Sequence, residues 1–346
     1  MNDSKTKTIL ITGSAGFIGF HLASLLLESN WRVIGLDAIT DYYDTGLKKD
    51  RHNILSKNKN FVPVEDCLQS EKAIANIFST YRPEVIIHLA AQAGVRYSID
   101  SPKSYVDANL VGTFNVLEAA RNNQIKHLLF ASTSSVYGSN KEMPFHELQK
   151  SDNQMSFYAA TKKANEVMLH SYSHIFNIPT TIFRFFTVYG PWGRPDMALF
   201  KFTKAIIKNQ SIDVYNYGKM KRDFTYVADL VKAIELLIKE IPEQPSLRSD
   251  SRSIKVDSIS DVAPYRIVNI GNSNPTNLMD YISALEKALK KEAKKNFLAI
   301  QPGDVPATWA NTTLLKDLTG FTPSTSVEDG VKKFVSWYLD YYKNDL

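Results

Sequence analysis

The sequence predicts an α/β fold: a doubly wound parallel sheet of the Rossmann type with a smaller C-terminal substrate-binding region. Three observations lead there. Short apolar runs alternate with stretches of helical periodicity through the first half of the chain. A glycine-rich turn, GSAGFIG at 13–19, lies between the first apolar run and the first helical stretch. Beyond about residue 187 the alternation loosens into sequence rich in Pro, Gly and aromatics.

In chain order, the strand-type runs are KTILIT (7–12), WRVIGLD (31–37), NFVPVE (60–65), EVIIHLA (84–90), HLLFAS (127–132) and TTIFRFF (180–186). Helical periodicity fills 16–29, 70–80, 103–122 and 158–176. Right-handed crossovers between such strands place helices on both faces of the sheet. The later half predicts helices near 197–209, 227–240 and 277–290, and a strand at 265–271. The polar, Pro- and Ser-containing stretch 242–264 reads as a long surface loop. KALKKEAKKN (287–296) reads as the solvated face of a helix. The expected division is a cofactor-binding domain over 1–187, whose sheet also receives the strand near 265–271, and a mainly substrate-binding region over 188–346.

Composition narrows the class. The chain is long enough for one large domain or two. A net charge of +5, with no basic tract interleaved with aromatics, argues against a nucleic-acid partner. The single cysteine, Cys67, cannot form an internal disulfide and is expected to be buried and structural. No Cys/His cluster has zinc spacing, so no metal is expected. The N-terminus lacks an apolar leader, and no apolar run reaches the ~18 residues of a membrane span, so no membrane partner and a cytoplasmic location are expected.

The glycine turn carries the cofactor expectation. Gly13 permits the tight turn, Gly16 allows a pyrophosphate close to the backbone at a helix N-terminus, and Gly19 allows close helix–sheet packing. The spacing is GxxGxxG rather than the standard GxGxxG. Asp37 ends the second strand. An acid there can bond both ribose hydroxyls and repel a 2′-phosphate, which favours NAD over NADP. Asp66, after the third strand, either meets the adenine or serves a turn.

Tyr158 and Lys162 stand at i and i+4 in SFYAATKKANEVM, on one helical face. A free tyrosine is a poor base at neutral pH. A neighbouring ammonium favours the phenolate, and the pair can then accept a sugar hydroxyl proton.

GSAGFIG, HLAAQAGV (88–95), STSSVYG (132–138) and YAATK (158–162) together resemble the extended short-chain dehydrogenase/reductase family, over essentially the whole chain. The resemblance implies that Tyr158 takes a proton from a substrate hydroxyl while hydride passes to NAD. It also implies that Lys162 binds the nicotinamide ribose, and that Thr133 bonds the same hydroxyl with Ser134 beside it. Asn109 matches a position near the cofactor. Phe17, Ile18, Leu89, Ala90, Ala91 and the Asp66–Cys67 pair complete the expected cofactor wall. Asp-Cys departs from the more usual Asp-Ile or Asp-Leu.

RFFTVYGPWGRPDMALFKF (184–202), KRDFTYVADLV (221–231), APYRIVNIGNS (263–273) and QPGDVPATWAN (301–311) resemble the nucleotide-sugar branch, most closely the UDP-glucuronate 4-epimerases. By matching motifs, Arg222 contacts the UDP phosphates, Tyr215 lies against the uracil, Asp304 holds the ribose and Arg194 reaches the nucleotide. Arg96 meets the pyrophosphate, the uronate or a carboxylate on the neighbouring helix. Members are usually homodimers that pair the helices near 103–122 and 158–176.

The related 4,6-dehydratases carry Asp-Glu just before the VYG-type motif, and uronate decarboxylases carry a Glu there. This chain has Ser134 and Ser135. Elimination loses its acid, and epimerisation by return of the hydride remains. Thr133, Ser134, Ser135 and Thr187 can clamp a uronate carboxylate; Ser132 and its neighbours can also simply close the strand through local hydrogen bonds. Alternatives are an epimerase of UDP-glucose or a UDP-N-acetylhexosamine, a UDP-glucuronate decarboxylase, and a catalytically idle NAD-binding regulator.

Overall fold

The computed structural model describes residues 7–248, 254, 256–301 and 303–344. Its centre is a seven-stranded, all-parallel sheet. Across the sheet the strands run Tyr265–Ile270, Thr180–Phe185, His127–Thr133, Val85–His88, Thr8–Thr12, Arg32–Asp37 and Phe61–Glu65. Strand order therefore reverses between Thr8–Thr12 and Val85–His88. A crevice opens there at the carboxyl ends, where open α/β sheets bind ligands.

Period-two alternation explains why these strands are apolar on both sides. Ile9 and Ile11 pack with Phe20, Leu26, Val231 and Ile234 on one face. Leu10, between them, packs with Ile74, Val116 and Leu169 on the other. The helices Phe17–Glu28 and Val227–Leu237 cover the first face, and Glu71–Tyr81, Gly112–Asn122 and Phe157–Phe176 the second. A third core joins Ala198–Ile207, Leu278–Leu289 and Val327–Tyr341 with the strands Ser211–Val214 and Lys221–Tyr226.

Three expectations change. The helix expected over 103–122 is interrupted: a turn at Pro102–Tyr105 passes into a wide π-type turn at Val106–Val111 before regular helix begins at Gly112. Such bulges insert a residue where a side chain must be re-aimed, and Asn109 is the side chain carried here. The lysine-rich run is not one helix face. The helix stops at Leu289, with Lys290 left-handed, and Lys294–Phe297 is a strand paired in parallel with Ser211–Val214. Cys67 is exposed rather than buried, because the chain past Glu65 runs over the open end of the sheet. The helices Thr45–Leu55, Thr313–Thr319 and Val327–Tyr341 have no counterpart in the sequence expectations. The first is capped by Asp44, whose carboxylate accepts from the Gly46 amide. Within the expected loop 242–264, a 3₁₀ turn forms at Pro245–Leu247 and a further turn at 261–262, and 249–253 and 255 lie outside the described residues.

Candidate active site

A cavity of about 640 Å³ lies at the carboxyl ends of the strands. That is the scale of a small-molecule or cofactor site. Gly13, Gly16, Phe17, Ile18, Gly19, Asp37, Asp66, Cys67, Leu89, Ala90 and Ala91 line it, as do Thr133, Ser134, Ser135, Tyr158, Lys162, Thr187, Arg194, Arg222 and Asp304. Three expected residues stand outside this wall: Asn109, Arg96 and Tyr215.

The turn after the first strand fits a dinucleotide. Gly13 has φ of 77°, and a Cβ there would meet the Ala90 amide nitrogen at 2.8 Å. Gly16 is the N-cap of Phe17–Glu28, and no side chain caps that end. Its first-turn N–H groups are therefore left for an anion. Asp37 Oδ2 accepts from the Ala15 amide at 3.0 Å and Oδ1 from the Ile39 amide at 2.9 Å. The carboxylate is thereby fixed at the crevice, where it disfavours a 2′-phosphate.

Asn109 supports this wall from behind. Its Oδ1 accepts from the Gln92 amide at 2.8 Å, and its Nδ2 donates to the Gln92 carbonyl at 3.1 Å and to Thr161 Oγ1 at 3.0 Å. Asn109 thereby fixes Gln92, which lines the cavity.

The strand His127–Thr133 and the helix Phe157–Phe176 carry the hydroxyls and the Tyr–Lys pair. Thr133 Oγ1 accepts from the Ser135 amide at 3.2 Å and donates to Ser135 Oγ at 3.2 Å. That local bonding caps a 3₁₀ turn over Ser134–Tyr137. Lys162 Nζ donates to the Ala131 carbonyl at 2.7 Å. Burial pushes the Lys162 ammonium down to about 7, and Glu166 pulls it back upward. Tyr158 moves upward, not downward: burial raises it, while a hydrogen bond with Thr133 opposes the rise. The cation that opposes the rise is Arg194 rather than the expected Lys162.

Behind the pair lies a buried ion pair that sequence reasoning missed. Glu166 accepts from Arg184 Nε at 3.0 Å, from Arg184 Nη2 at 2.8 Å and from Ser132 Oγ at 2.6 Å. The signal was present: Glu166 is one helical turn beyond Lys162, on the same face. Ser132 is thus occupied with Glu166.

The expected substrate arginines hold internal partners. Arg194 grips Asp196 through Nε at 3.0 Å and Nη2 at 2.6 Å, and Tyr42 Oη donates to the same carboxylate at 3.3 Å. Arg222 donates to the carbonyls of Lys221, Val305 and Pro306. Arg96 pairs with Asp304 at 3.0 Å, and its guanidinium stacks 4.6 Å from the centre of the Tyr215 ring. Three residues expected at the nucleotide are thereby brought together, and the carboxylate that Arg96 meets is on a loop rather than on a neighbouring helix. Lys48 also lines the cavity and was not foreseen; its Nζ donates to Thr40.

Among the described residues, no helix is long and apolar enough to cross a membrane, and no group of three or more His, Cys, Asp or Glu side chains is arranged to hold a metal ion.

A parallel doubly wound sheet, a glycine turn beside an acid at the end of the second strand, and a Tyr–Lys pair on one helix at the cavity define an extended short-chain dehydrogenase/reductase. Within that class the chain belongs to the family described as GDP-mannose 4,6 dehydratase, whose profile matches residues 10–334. It is 53% identical over 336 residues to Protein CapI of Staphylococcus aureus, covering 97% of this chain and 99% of that protein. It is 51% identical over 334 residues to a probable UDP-glucuronate 4-epimerase of Rhizobium meliloti, covering 96% and 97%. The crystal structure of UDP-glucuronic acid 4-epimerase from Bacillus cereus, in complex with UDP-glucuronic acid and NAD, superposes with a TM-score of 0.84. That protein is 31% identical, and the match covers 97% of this chain and 100% of that one.

Proposed function

We propose that this protein is an NAD-dependent 4-epimerase of UDP-sugars that interconverts UDP-glucuronate and UDP-galacturonate. One observation carries the choice among related reactions. Four hydroxyl side chains, Thr133, Ser134, Ser135 and Thr187, line the cavity beside Tyr158, and the two positions where the resembling dehydratases carry Asp-Glu are serines. The 51% identical relative and the 31% identical crystal structure, both described as acting on glucuronate at C4, support the same choice.

In this reading Tyr158 removes the C4 hydroxyl proton, with Thr133 bonding that oxygen and Lys162 supporting the phenolate. When bound, NAD accepts the C4 hydride and later returns it to the opposite face of the ketosugar. Tyr158 then gives the proton back, so the reaction needs no outside oxidant. The 4-keto uronate is a β-keto acid and loses CO₂ when its carboxylate bond aligns with the carbonyl π-system. Ser134, Ser135 and Thr187, together with Thr133, hold the carboxylate out of that alignment.

The work is divided along the chain. Residues 1–187, with the strand 265–270, hold the cofactor, and 188–346 mainly hold the UDP-sugar. Arg222 serves the phosphates, Tyr215 the uracil, Asp304 the ribose and Arg194 the nucleotide. The product serves polysaccharide synthesis in the cytoplasm. The active form is a homodimer, which the exposed apolar side chains of Val111 at the end of the π-type turn, Phe114 on Gly112–Asn122 and Val167 on Phe157–Phe176 support.

Mixing NAD-loaded enzyme with UDP-glucuronate should produce NADH absorbance in the near ultraviolet. A flat signal alongside unchanged substrate refutes oxidation at C4.

A further inference from the structure

We propose that Arg51 is a positioning residue that couples the cofactor seat to the substrate-side loop, so that filling one tightens the other. The proposal rests on reading the cavity as a site for a dinucleotide and a nucleotide sugar.

Arg51 lies on the helix Thr45–Leu55, is fully buried and does not line the cavity. One guanidinium face reaches the glycine turn: Nη1 donates to the Ala15 carbonyl at 2.8 Å and to Tyr43 Oη at 3.0 Å. The other reaches the distant loop: Nη2 donates to the carbonyls of Trp192 at 2.6 Å and Gly193 at 3.4 Å. Those two residues immediately precede Arg194. A guanidinium is a rigid planar fork, so it fixes the segments it bridges relative to one another.

Two further features show that this bridge is under load. Trp192 holds φ of 57°, a costly conformation for a bulky residue. It stays there because Arg51 binds its carbonyl and because Phe20, Trp337 and Tyr341 pack around its ring at centroid distances of 5.0–5.4 Å. Moreover, all four Arg51 acceptors are neutral oxygens, and its Nε has no partner among the described residues. A buried cation whose acceptors are all neutral, and which the Lys48 ammonium also repels, is expensive. A diphosphate anion at the glycine turn lowers that cost and holds Arg51 in place. Arg51 in place in turn holds Trp192–Gly193, and Arg194 beyond them. A lysine cannot reproduce this, because one ammonium on a flexible stem lacks the two-sided fork.

The test is exchange of bound NAD against labelled NAD, measured on NAD-loaded protein with and without UDP. UDP requires no turnover, so the readout survives even where the epimerase reading fails. In the unmodified protein UDP should slow exchange about fivefold or more, the lower range of allosteric coupling. In R51K the ratio should fall to near one, with the thermal midpoint of the same sample reporting that it is folded. Where R51K does not fold, Y43F keeps the guanidinium but removes one acceptor and should lower the ratio at least twofold. An unmodified protein without a UDP effect, or a folded variant with an unchanged ratio, overturns the proposal. Loss of epimerisation with the exchange ratios as expected would count against the functional reading alone.

Discussion

Two arginine–carboxylate pairs flank the site, and they are chemically alike. Arg184 meets Glu166 at 2.8 Å, and Arg96 meets Asp304 at 3.0 Å. Their surroundings are opposite. The first pair is 1% and 2% exposed, the second 47% and 21%. Removing one partner of a buried pair strands a charge in the interior, whereas water screens an exposed pair. The floor of the site is therefore a fixed part of the core. Its rim carries the Arg96–Asp304 pair, which water reaches and screens. An enzyme that must hold its reacting groups still while a sugar turns over above them needs this division.

The largest expected effect is on the floor. Tyr158→Phe removes the proton acceptor and should lower kcat by about 10²–10⁴, with the fold intact by circular dichroism; a variant of near-normal rate would move the base elsewhere. Glu166→Gln should cost about 3–5 kcal/mol of stability, the range for breaking a buried pair. A shift in urea midpoint worth under about 1 kcal/mol would put this pair in the exposed class.

Lys162 gives a pH signature of the same floor. Its folded pKa is lowered to about 7, against about 10.4 in an unfolded chain. Between those values the unfolded state binds more protons, so the stability of NAD-free protein should rise with pH from about 7 toward about 10. That contribution is lost as pH falls through the folded value. Lys162→Met should flatten this part of the curve, and equal slopes in both proteins would assign the dependence to other groups.

The hydroxyl wall stands between floor and rim. Ser134→Ala and Thr187→Val should raise the share of UDP-pentose among the products severalfold at modest cost in rate; an unchanged product ratio would remove the clamp from the mechanism. The smallest effect belongs to the rim. Arg96→Ala should change stability by only about 0–1 kcal/mol and appear in KM rather than kcat. A large stability loss would erase the distinction between the two pairs.

How far these regions could be read from the sequence differs for the same reason. The glycine turn, Asp37, Tyr158 and Lys162 are local: each sits at a fixed spacing from a strand end, so pattern and position coincide. All seven sheet strands were legible because burial on both faces makes them continuous apolar runs. Glu166–Arg184 and Arg51 were not, since each depends on chain segments that meet only after folding. The bonds of Asn109 to Gln92 were not legible, because the π-type turn that carries Asn109 has no sequence mark. Cys67 was misjudged because average burial preferences say nothing about a turn at an open sheet end. The helix Thr45–Leu55 carries little apolar periodicity, because three of its five buried residues, Lys48, Arg51 and His52, are polar.

The most direct measurement is proton NMR of the purified protein incubated with UDP-glucuronate, following the anomeric signals with time. The account predicts that UDP-galacturonate appears without UDP-pentose. A UDP-pentose or a 4-keto product as the main species would contradict it, because the first means that the hydroxyls do not hold the carboxylate out of alignment and the second that the hydride does not return.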